Sequence, residues 1–373
     1  MRRKMISATW IKIYAVVFAS GLAGALILTP AFRSLAAKTG FMDVPADNHK
    51  GHKKSTPLLG GLAMFFSWLF CIAGGVIAVK WNLLPAFSKI AETHLPGILQ
   101  IYGNLCFIAV GAAIAVFLGL IDDKFPMSAA VKFAGQFIVA LIAVFGGNIR
   151  LNVLPGFPGI ETGVTLFWFM LLMNSINFFD NMDGLAVGTI AIAMGFFSVV
   201  AALNCQYFVA CFAVLNCAVC CGFWFYNTTP ATIFMGDSGS HFLGYLAAVV
   251  SAMITFFDKS VSLSRFPVLM PLFILALPLF DTGMVVIIRT VNRKPFWIGD
   301  HNHISHRFVR MGFTRKRAVM LVHLMALTIG LGILPVLRGN FFTAAILVIQ
   351  AILMLGIITF LQLYLSDRPD ARE

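Results

Sequence analysis

Charged side chains are scarce in this sequence: 15 Asp and Glu and 27 Lys and Arg among 373 residues, 11% in all, against about 25% in soluble globular domains. With 60% hydrophobic residues and a mean hydropathy of +0.90, a water-soluble globule is excluded. Low-complexity stretches and internal repeats are absent as well, and no segment reads as a separate soluble domain, which leaves one membrane domain for residues 1–373. Cysteine is sparse too. The seven lie in or beside apolar runs, and the lone CxxC of Cys217 and Cys220 has no second pair, so they read as small packing residues and not as a metal or redox centre. Scarcity gives each carboxylate weight, because an acid beside a long apolar run costs free energy and marks function by default.

What the chain has is hydrophobic length. Runs long enough to cross a hydrocarbon core, roughly 17 to 25 residues, fall at 10–30, 57–79, 98–121, 131–147, 163–179, 184–203, 207–226, 240–257, 267–289, 318–337 and 341–365, before a short polar tail at 366–373. The fold class is therefore an all-α polytopic integral membrane protein of about eleven (10–11) transmembrane helices. The basic start at Arg2, Arg3 and Lys4 followed by an apolar run resembles a signal peptide. That run exceeds the roughly 7 to 15 residues of a cleavable core, so it reads as a retained first helix.

Five polar breaks interrupt the apolar runs: Lys53-Lys54 with Gly60-Gly61, Asp122-Asp123, residues 174–183, Gly236-Asp237, and residues 300–307. They follow the first, third, fifth, seventh and ninth runs. Loops from odd to even spans return to the same side, so every candidate site residue falls on one membrane face. These loops carry most of the Lys and Arg, including Lys38, Lys50, Lys124, Arg293, Arg310 and Arg317, which makes that face cytoplasmic. Arg2, Arg3, Lys4 and Lys12 fall on the other side in this count, and the larger basic loops override them. Because the net charge of +12 sits in short loops between spans, it points to anionic membrane lipids and phosphorylated substrates and away from nucleic acid. On the opposite face, residues 148–162, with Pro155, Gly156, Pro158 and Gly159, read as a compact hairpin or turn.

Each break has a chemical reading and a plainer one. Asp122 and Asp123 repel each other, so one holds a proton more tightly and can act as a base, or both face a cation; alternatively they form a solvated helix end beside Lys124. Asn174, Asn177, Asp180 and Asp183 offer hard oxygen ligands suited to magnesium, with Gly184 allowing close backbone approach, or else they form an Asx-rich turn capping the next helix. Asp237 opens a helix either as its cap or beside Gly236, Ser238, Gly239 and Ser240, whose backbone N–H groups suit phosphate oxygens. His301, His303, His306 and Arg307 belong to a loop whose arginines and histidines together suit a diphosphate, though a basic cytoplasmic loop is the simpler alternative. Asp281 lies inside the ninth run, where an ionisable group faces a cavity or a partner.

Taken in this order, the five blocks resemble the polyprenyl-phosphate N-acetylhexosamine-1-phosphate transferases of the MraY/WecA type, over about residues 40–317. The resemblance implies a cytoplasm-facing active-site cleft in the bacterial cytoplasmic membrane. There, polyprenyl (undecaprenyl) phosphate would attack the β-phosphorus of a UDP-N-acetylhexosamine to give polyprenyl-diphospho-sugar and UMP. It also implies Mg2+, replaceable by Mn2+, bound by Asp237 with Asn177 or the Asp180 region, and it admits a homodimer. Asp122 and Asp123 would serve the lipid phosphate, one of them as base, with Asp237 completing the catalytic set. Asp183 and Gly184 would sit by the uridine, and Lys53, Lys132, His303, His306 and Arg307 would contact the diphosphate or sugar, with Asn174 and Asp180 also binding substrate.

The form D-x-x-H-I-x-H-R at 300–307 is similar to the GlcNAc-1-phosphate transferase branch, which opens wall teichoic acid, O-antigen and enterobacterial common antigen synthesis. Two departures stand out: Pro126 where the family often reads DDxxD, and Ser305 where the branch often has a paired histidine, so that Ser305→His is expected to be mild. The phospho-MurNAc-pentapeptide transferase branch is the runner-up. An ion-coupled transporter is the rival from another class, but transporter sites tend to lie near the bilayer midplane, whereas these acids gather at helix ends on one side.

Overall fold

The computed structural model describes residues 7–43, 55–81, 83, 88–153, 157–257, 263–293, 295 and 303–366, the backbone alone for 88–102 and 362–366. The chain is helical almost throughout: α1 (Ala8–Thr39), α2 (Gly60–Lys80), α3 (Ser88–Lys124), α4 (Ala129–Leu141), α5 (Pro158–Phe179), α6 (Leu185–Leu203), α7 (Tyr207–Asn227), α8 (Gly236–Met253), α9 (Met270–Ile274), α10 (Ala276–Val291), α11 (Ile304–Arg310), α12 (Arg315–Ile333) and α13 (Phe341–Ser366). Hydroxyl caps start several of them. Ser7, Ser128 and Thr314 accept from the backbone N–H three residues on, supplying an acceptor that the first helical turn lacks. Gly40 ends α1 in the left-handed conformation. Among the described residues the sole sheet is a two-residue ribbon, β1 (Met42–Asp43) antiparallel to β2 (Thr56–Pro57).

The protein is an all-α, multi-pass membrane protein. Among the described residues nine helices are long and apolar enough to cross a membrane, and a tenth span results if α9 and α10 count as one. Each of the eleven runs read from the sequence coincides with helix over most of its described length, and the difference lies in two of them. The run at 267–289 is broken at Leu275, where the helices on either side are bent by 73°. The eighth run starts early, at Gly236, and its first six residues up to His241 carry no aliphatic side chain, which lowers its hydropathy. The predicted turn at 148–162 is also corrected, because Pro158 and Gly159 open α5 in the first-turn position that proline tolerates.

That polar-headed helix is the centre of the fold. Every residue of α8 from Ser238 to Ala252 is buried. It packs against α2, α3, α5, α6 and α7. Lipid tails offer no hydrophobic drive between helices, so close approach through small residues matters more. A Cβ at Gly244 would lie 2.5 Å from the Cα of Met173 on α5, and one at Gly119 or Gly61 would overlap the backbone of Asp237 to Gly239. Two polar ties hold the interior: Tyr245 Oη donates to the Ile108 carbonyl at 3.0 Å, and Trp168 Nε1 donates to Ser251 Oγ at 2.9 Å.

Candidate active site

The site forms where α3 ends and α4, α6 and α8 begin. Asp122 holds the α3–α4 turn by accepting from Met127 N at 2.7 Å through Oδ1, which leaves Oδ2 at 2.5 Å from the ammonium of Lys132. Lys132 lies in the first turn of α4, fixed there by the Ser128 cap. Its Nζ also meets Asp237 Oδ2 at 2.5 Å and donates to Asn177 Oδ1 at 3.5 Å. Asn177 in turn donates through Nδ2 to Asp237 Oδ1 at 2.8 Å and to Ser240 Oγ at 2.9 Å. One cation is therefore bracketed by two carboxylates from α3 and α8, with an amide from α5 closing the ring.

Asp123, the other half of the pair, points elsewhere. Its Oδ1 accepts from Asp237 N at 2.7 Å and its Oδ2 from Ser238 N at 3.2 Å. The residue before α8, Met235, supplies no side-chain cap, so α3 caps α8 across the interface, and the negative charge also suits the positive end of the helix dipole. Gly236, at φ 66°, makes this possible, since a Cβ there would stand 2.5 Å from Asp123 Oδ2. The reading of these N–H groups as a phosphate cradle is thus corrected for two of the four: Ser238 N, like Asp237 N, donates to Asp123, and Gly239 N donates to the Met235 carbonyl.

The 174–183 run divides its tasks. Asn174 lies one turn deeper than Asn177 and pairs with Gln136 of α4. Asp180 follows α5, and burial first, then the charges of Asp237, Asp183 and Asp123, push its carboxyl well above the ordinary carboxylate range. Asp183 does not cap α6. It accepts from Ala231 N at 3.0 Å, while Gly184, at φ 74°, takes the cap position and donates its N–H to Asn227 Oδ1 at 3.0 Å.

The last block docks through Asp281, which is 1% exposed in α10. Asp281 meets His303 Nδ1 at 2.6 Å and accepts from Ile304 N at 2.6 Å, so this intramembrane acid faces a partner. Ser305, fully buried, donates to Asn181 Oδ1 at 2.5 Å and ties α11 to the 174–183 turn. Arg307 is buried in α11, and the His306 ring stands 6.3 Å from that of His303. Of the first block, Gly60 N and Gly61 N donate to the carbonyls of Phe234 and Met235, each at 3.0 Å. Lys53, Lys54, Asp300 and His301 lie outside the described residues.

The structure thus gathers Asp122, Asp123, Lys132, Asn177, Asp180, Asp183 and Asp237 at one end of the bundle, and links His303 to Arg307 through Ser305 and Asn181. Gln136, His241 and Asn181 were not singled out from the sequence, and Ser240 was read there for its backbone N–H alone, not for the hydroxyl that accepts from Asn177. Gln136 and His241 follow Lys132 and Asp237 by four residues, so helical periodicity was the signal that marks them. A cavity of about 450 Å³ lies at the far ends of α7 and α8, between Asn148, Arg150, Gln206 and Thr255, away from these acids.

The donor chemistry fits a hard divalent cation: carboxylate and amide oxygens only, with Asp180 crowded by three other carboxylates. Among the described residues no three acidic, imidazole or thiol groups close on a single point. Magnesium ordinarily keeps several waters and takes one or two carboxylates together with substrate phosphates, so such closure is not a requirement.

Sequence comparison agrees with this geometry. The model of glycosyl transferase family 4 matches residues 105–255, the segment from α3 to the end of α8. A probable undecaprenyl-phosphate N-acetylglucosaminyl 1-phosphate transferase of Bacillus subtilis is 32% identical over 350 residues, 92% of this chain and 90% of its own length. A decaprenyl-phosphate N-acetylglucosaminephosphotransferase of Mycobacterium tuberculosis is 28% identical over 372 residues, 92% of this chain and 88% of its own. A phospho-N-acetylmuramoyl-pentapeptide-transferase of Anoxybacillus flavithermus is 31% identical over 264 residues, 64% of this chain and 75% of its own. The fold and site are those of a multi-pass membrane transferase. The chain belongs to glycosyl transferase family 4.

Proposed function

We propose that this protein transfers N-acetylglucosamine 1-phosphate from UDP-GlcNAc to a polyprenyl phosphate, undecaprenyl phosphate being the acceptor of first choice, and so opens the synthesis of an envelope polysaccharide. An oxygen of the lipid phosphate attacks the β-phosphorus; the bond from that phosphorus to the bridging oxygen breaks, and UMP leaves. The observation that carries this reading is Lys132 held between Asp122 and Asp237 at the bundle end. Phosphoryl transfer needs in-line positioning and charge neutralisation more than covalent help, and this ring supplies both beside a membrane surface.

Asp122 is the member of the acid pair with an oxygen facing the cluster, so it is the base that takes the last proton of the lipid phosphate. Lys132 neutralises charge on the transferring group. Asp237, with Asn177 and Asp180, would hold Mg2+ or Mn2+, which would supply neutralisation of the charge that develops on the diphosphate. Asp183 and Gly184 flank the uridine; Lys53, His303, His306 and Arg307 serve the diphosphate and sugar, while Asn174, its amide engaged by Gln136 and the Met170 carbonyl, acts from beneath the site. One domain of the bacterial inner membrane carries all of this on its cytoplasmic side, in keeping with the Lys and Arg of the loops at this end. Assembly as a homodimer is compatible with it.

The pentapeptide transferase remains the second reading. It is disfavoured because the relatives named for GlcNAc transfer align along 92% of the chain while the pentapeptide enzyme of Anoxybacillus aligns along 64%. The test is UMP release by purified protein given undecaprenyl phosphate and a panel of UDP-sugars. UDP-GlcNAc should be turned over in a Mg2+-dependent way, and Asp237→Asn should remove that turnover. Full activity of Asp237→Asn, or turnover of the UDP-MurNAc-pentapeptide alone, would overturn the assignment.

A further inference from the structure

One helical turn below Lys132, Asn177 and Asp237, the same three helices meet again through polar side chains. Gln136 follows Lys132 by four residues on α4, Asn174 precedes Asn177 by three on α5, and His241 follows Asp237 by four on α8. Residues three or four apart share a helix face, so the second tier lies directly beneath the first. Gln136 and His241 are both 0% exposed.

The hydrogen bonds of this tier leave a single arrangement of protons. Asn174 Nδ2 donates to the Met170 carbonyl at 2.7 Å, and a carbonyl accepts only, which fixes the nitrogen end of that amide. The same Nδ2 donates to Gln136 Oε1 at 2.7 Å, and Asn174 Oδ1 accepts from Gln136 Nε2 at 3.3 Å, so the Gln136 amide is fixed in turn. The remaining N–H of Gln136 is directed at His241 Nε2, 2.9 Å away. An N–H can meet only a lone pair, so Nε2 carries no proton and the imidazole is the neutral Nδ1–H tautomer. An imidazolium would set N–H against N–H. The charged groups that face the ring are Lys132 on α4 and Asp122 at the end of α3, whose charges act on it in opposite senses, so the hydrogen-bond geometry decides its state. His241 Nδ1 lies toward the backbone of Asp237, one turn earlier on α8, outside ordinary hydrogen-bond geometry.

We propose that Gln136, Asn174 and His241 form the positioning element of the transfer site, in which a neutral Nδ1–H imidazole fixes the rotational register of α4, α5 and α8. That register sets the separation of Lys132, Asn177 and Asp237. The proposal rests on the transferase reading for its kinetic arm and is independent of it for its spectroscopic arm.

In protein labelled with nitrogen-15 histidine, one imidazole should show an unprotonated Nε2 and a protonated Nδ1 at pH 7, persist to pH 5.5, and vanish in His241→Gln. An Nε2–H tautomer or an imidazolium at pH 7 overturns the proposal. In kinetics, His241→Leu strips Gln136 of its acceptor, and kcat should fall about ten- to a hundredfold with KM for both substrates nearly unchanged. His241→Gln, which restores an acceptor near the Nε2 position, should recover most of that loss with an unaltered pH profile. The double variant Gln136→Leu with His241→Leu removes the stranded donor and should fold at least as well as His241→Leu, yet stay slow. Wild-type kcat in the double variant would reduce the tier to interhelical adhesive and sink the positioning role. If wild type itself releases no UMP, the transferase reading fails while the nitrogen spectrum still decides the tier.

Discussion

The two neighbouring aspartates at the end of α3 should fail in different ways when each becomes asparagine. In Asp123→Asn, one amide oxygen and one NH2 group replace two oxygens that accept from Asp237 N and Ser238 N. One N–H keeps its acceptor and the other faces a donor. A stranded buried N–H costs about 1–3 kcal/mol, and the lost charge at a helix N-terminus about 0.3–1 kcal/mol more, so α8 should be destabilised by roughly 2–4 kcal/mol. In Asp122→Asn the amide oxygen still accepts from Met127 N, and Asp237 still neutralises Lys132. Stability should change by only about 1 kcal/mol, whereas loss of a general base lowers turnover by about 10²–10⁴. Thermal unfolding in detergent, read beside UMP release at a temperature where both variants stay folded, separates the two. An Asp123→Asn protein that melts like wild type yet is inactive would refute the capping argument and return Asp123 to the chemistry.

Three other outcomes follow from the same geometry. The folded-state pKa of Asp180 is raised, by burial first and then by Asp237, Asp183 and Asp123. Its contribution to stability is therefore fully present below the unfolded value of about 3.9 and is lost as pH rises through the folded one. Melting temperature measured without divalent cation should fall as pH rises above about 4, Mg2+ should flatten the slope, and Asp180→Asn should reduce both effects; a flat wild-type profile would contradict the clustering. Ser305→His, mild by sequence pattern alone, should instead be severe, because the fully buried Ser305 bonds Asn181 and leaves no room for a ring; Ser305→Ala should cost about 1 kcal/mol in a denaturation assay. Gly119→Ala should destabilise by about 1–3 kcal/mol or more, as overpacking does, since its Cβ would overlap the first turn of α8; normal stability and activity would mean that α3 and α8 are less close than described.

The sequence shows where the helices are and which breaks carry polar groups, because apolar length and the parity of spans are local properties of the chain. It also shows Asp281 as an acid in need of a partner. The identity of that partner, His303 with Ile304 N, was not legible, since it depends on α11 folding back 22 and 23 residues later. Nor was the break at Leu275, because both halves of the bent pair are apolar and hydropathy is blind to direction. The hardest feature to foresee was the cap of α8. Sequence rules look for a capping residue beside the helix it serves, and here the acceptor stands 114 residues earlier, admitted by the missing side chains of Gly119 and Gly236.

Why acids should gather so densely in so acid-poor a chain follows from the charge balance. Among the described residues, Asp122 and Asp237 meet the ammonium of Lys132, and Asp180 lies in the field of Asp237, Asp183 and Asp123. Left to itself such a cluster repels a diphosphate and a lipid phosphate alike, and burial in low dielectric strengthens that repulsion. The arrangement is serviceable only if cations come with the substrates, and two sources fit: a hard divalent ion at the carboxylates and the basic side chains of the loops at this end. Neither is needed to hold the helices together, because capping of α8 by Asp123 and the uncharged tier below Lys132 bind α3, α4, α5 and α8 without them. The scaffold can therefore stand with its negative site unfilled, and the affinity of that site for a nucleotide sugar becomes conditional on the cation that accompanies it.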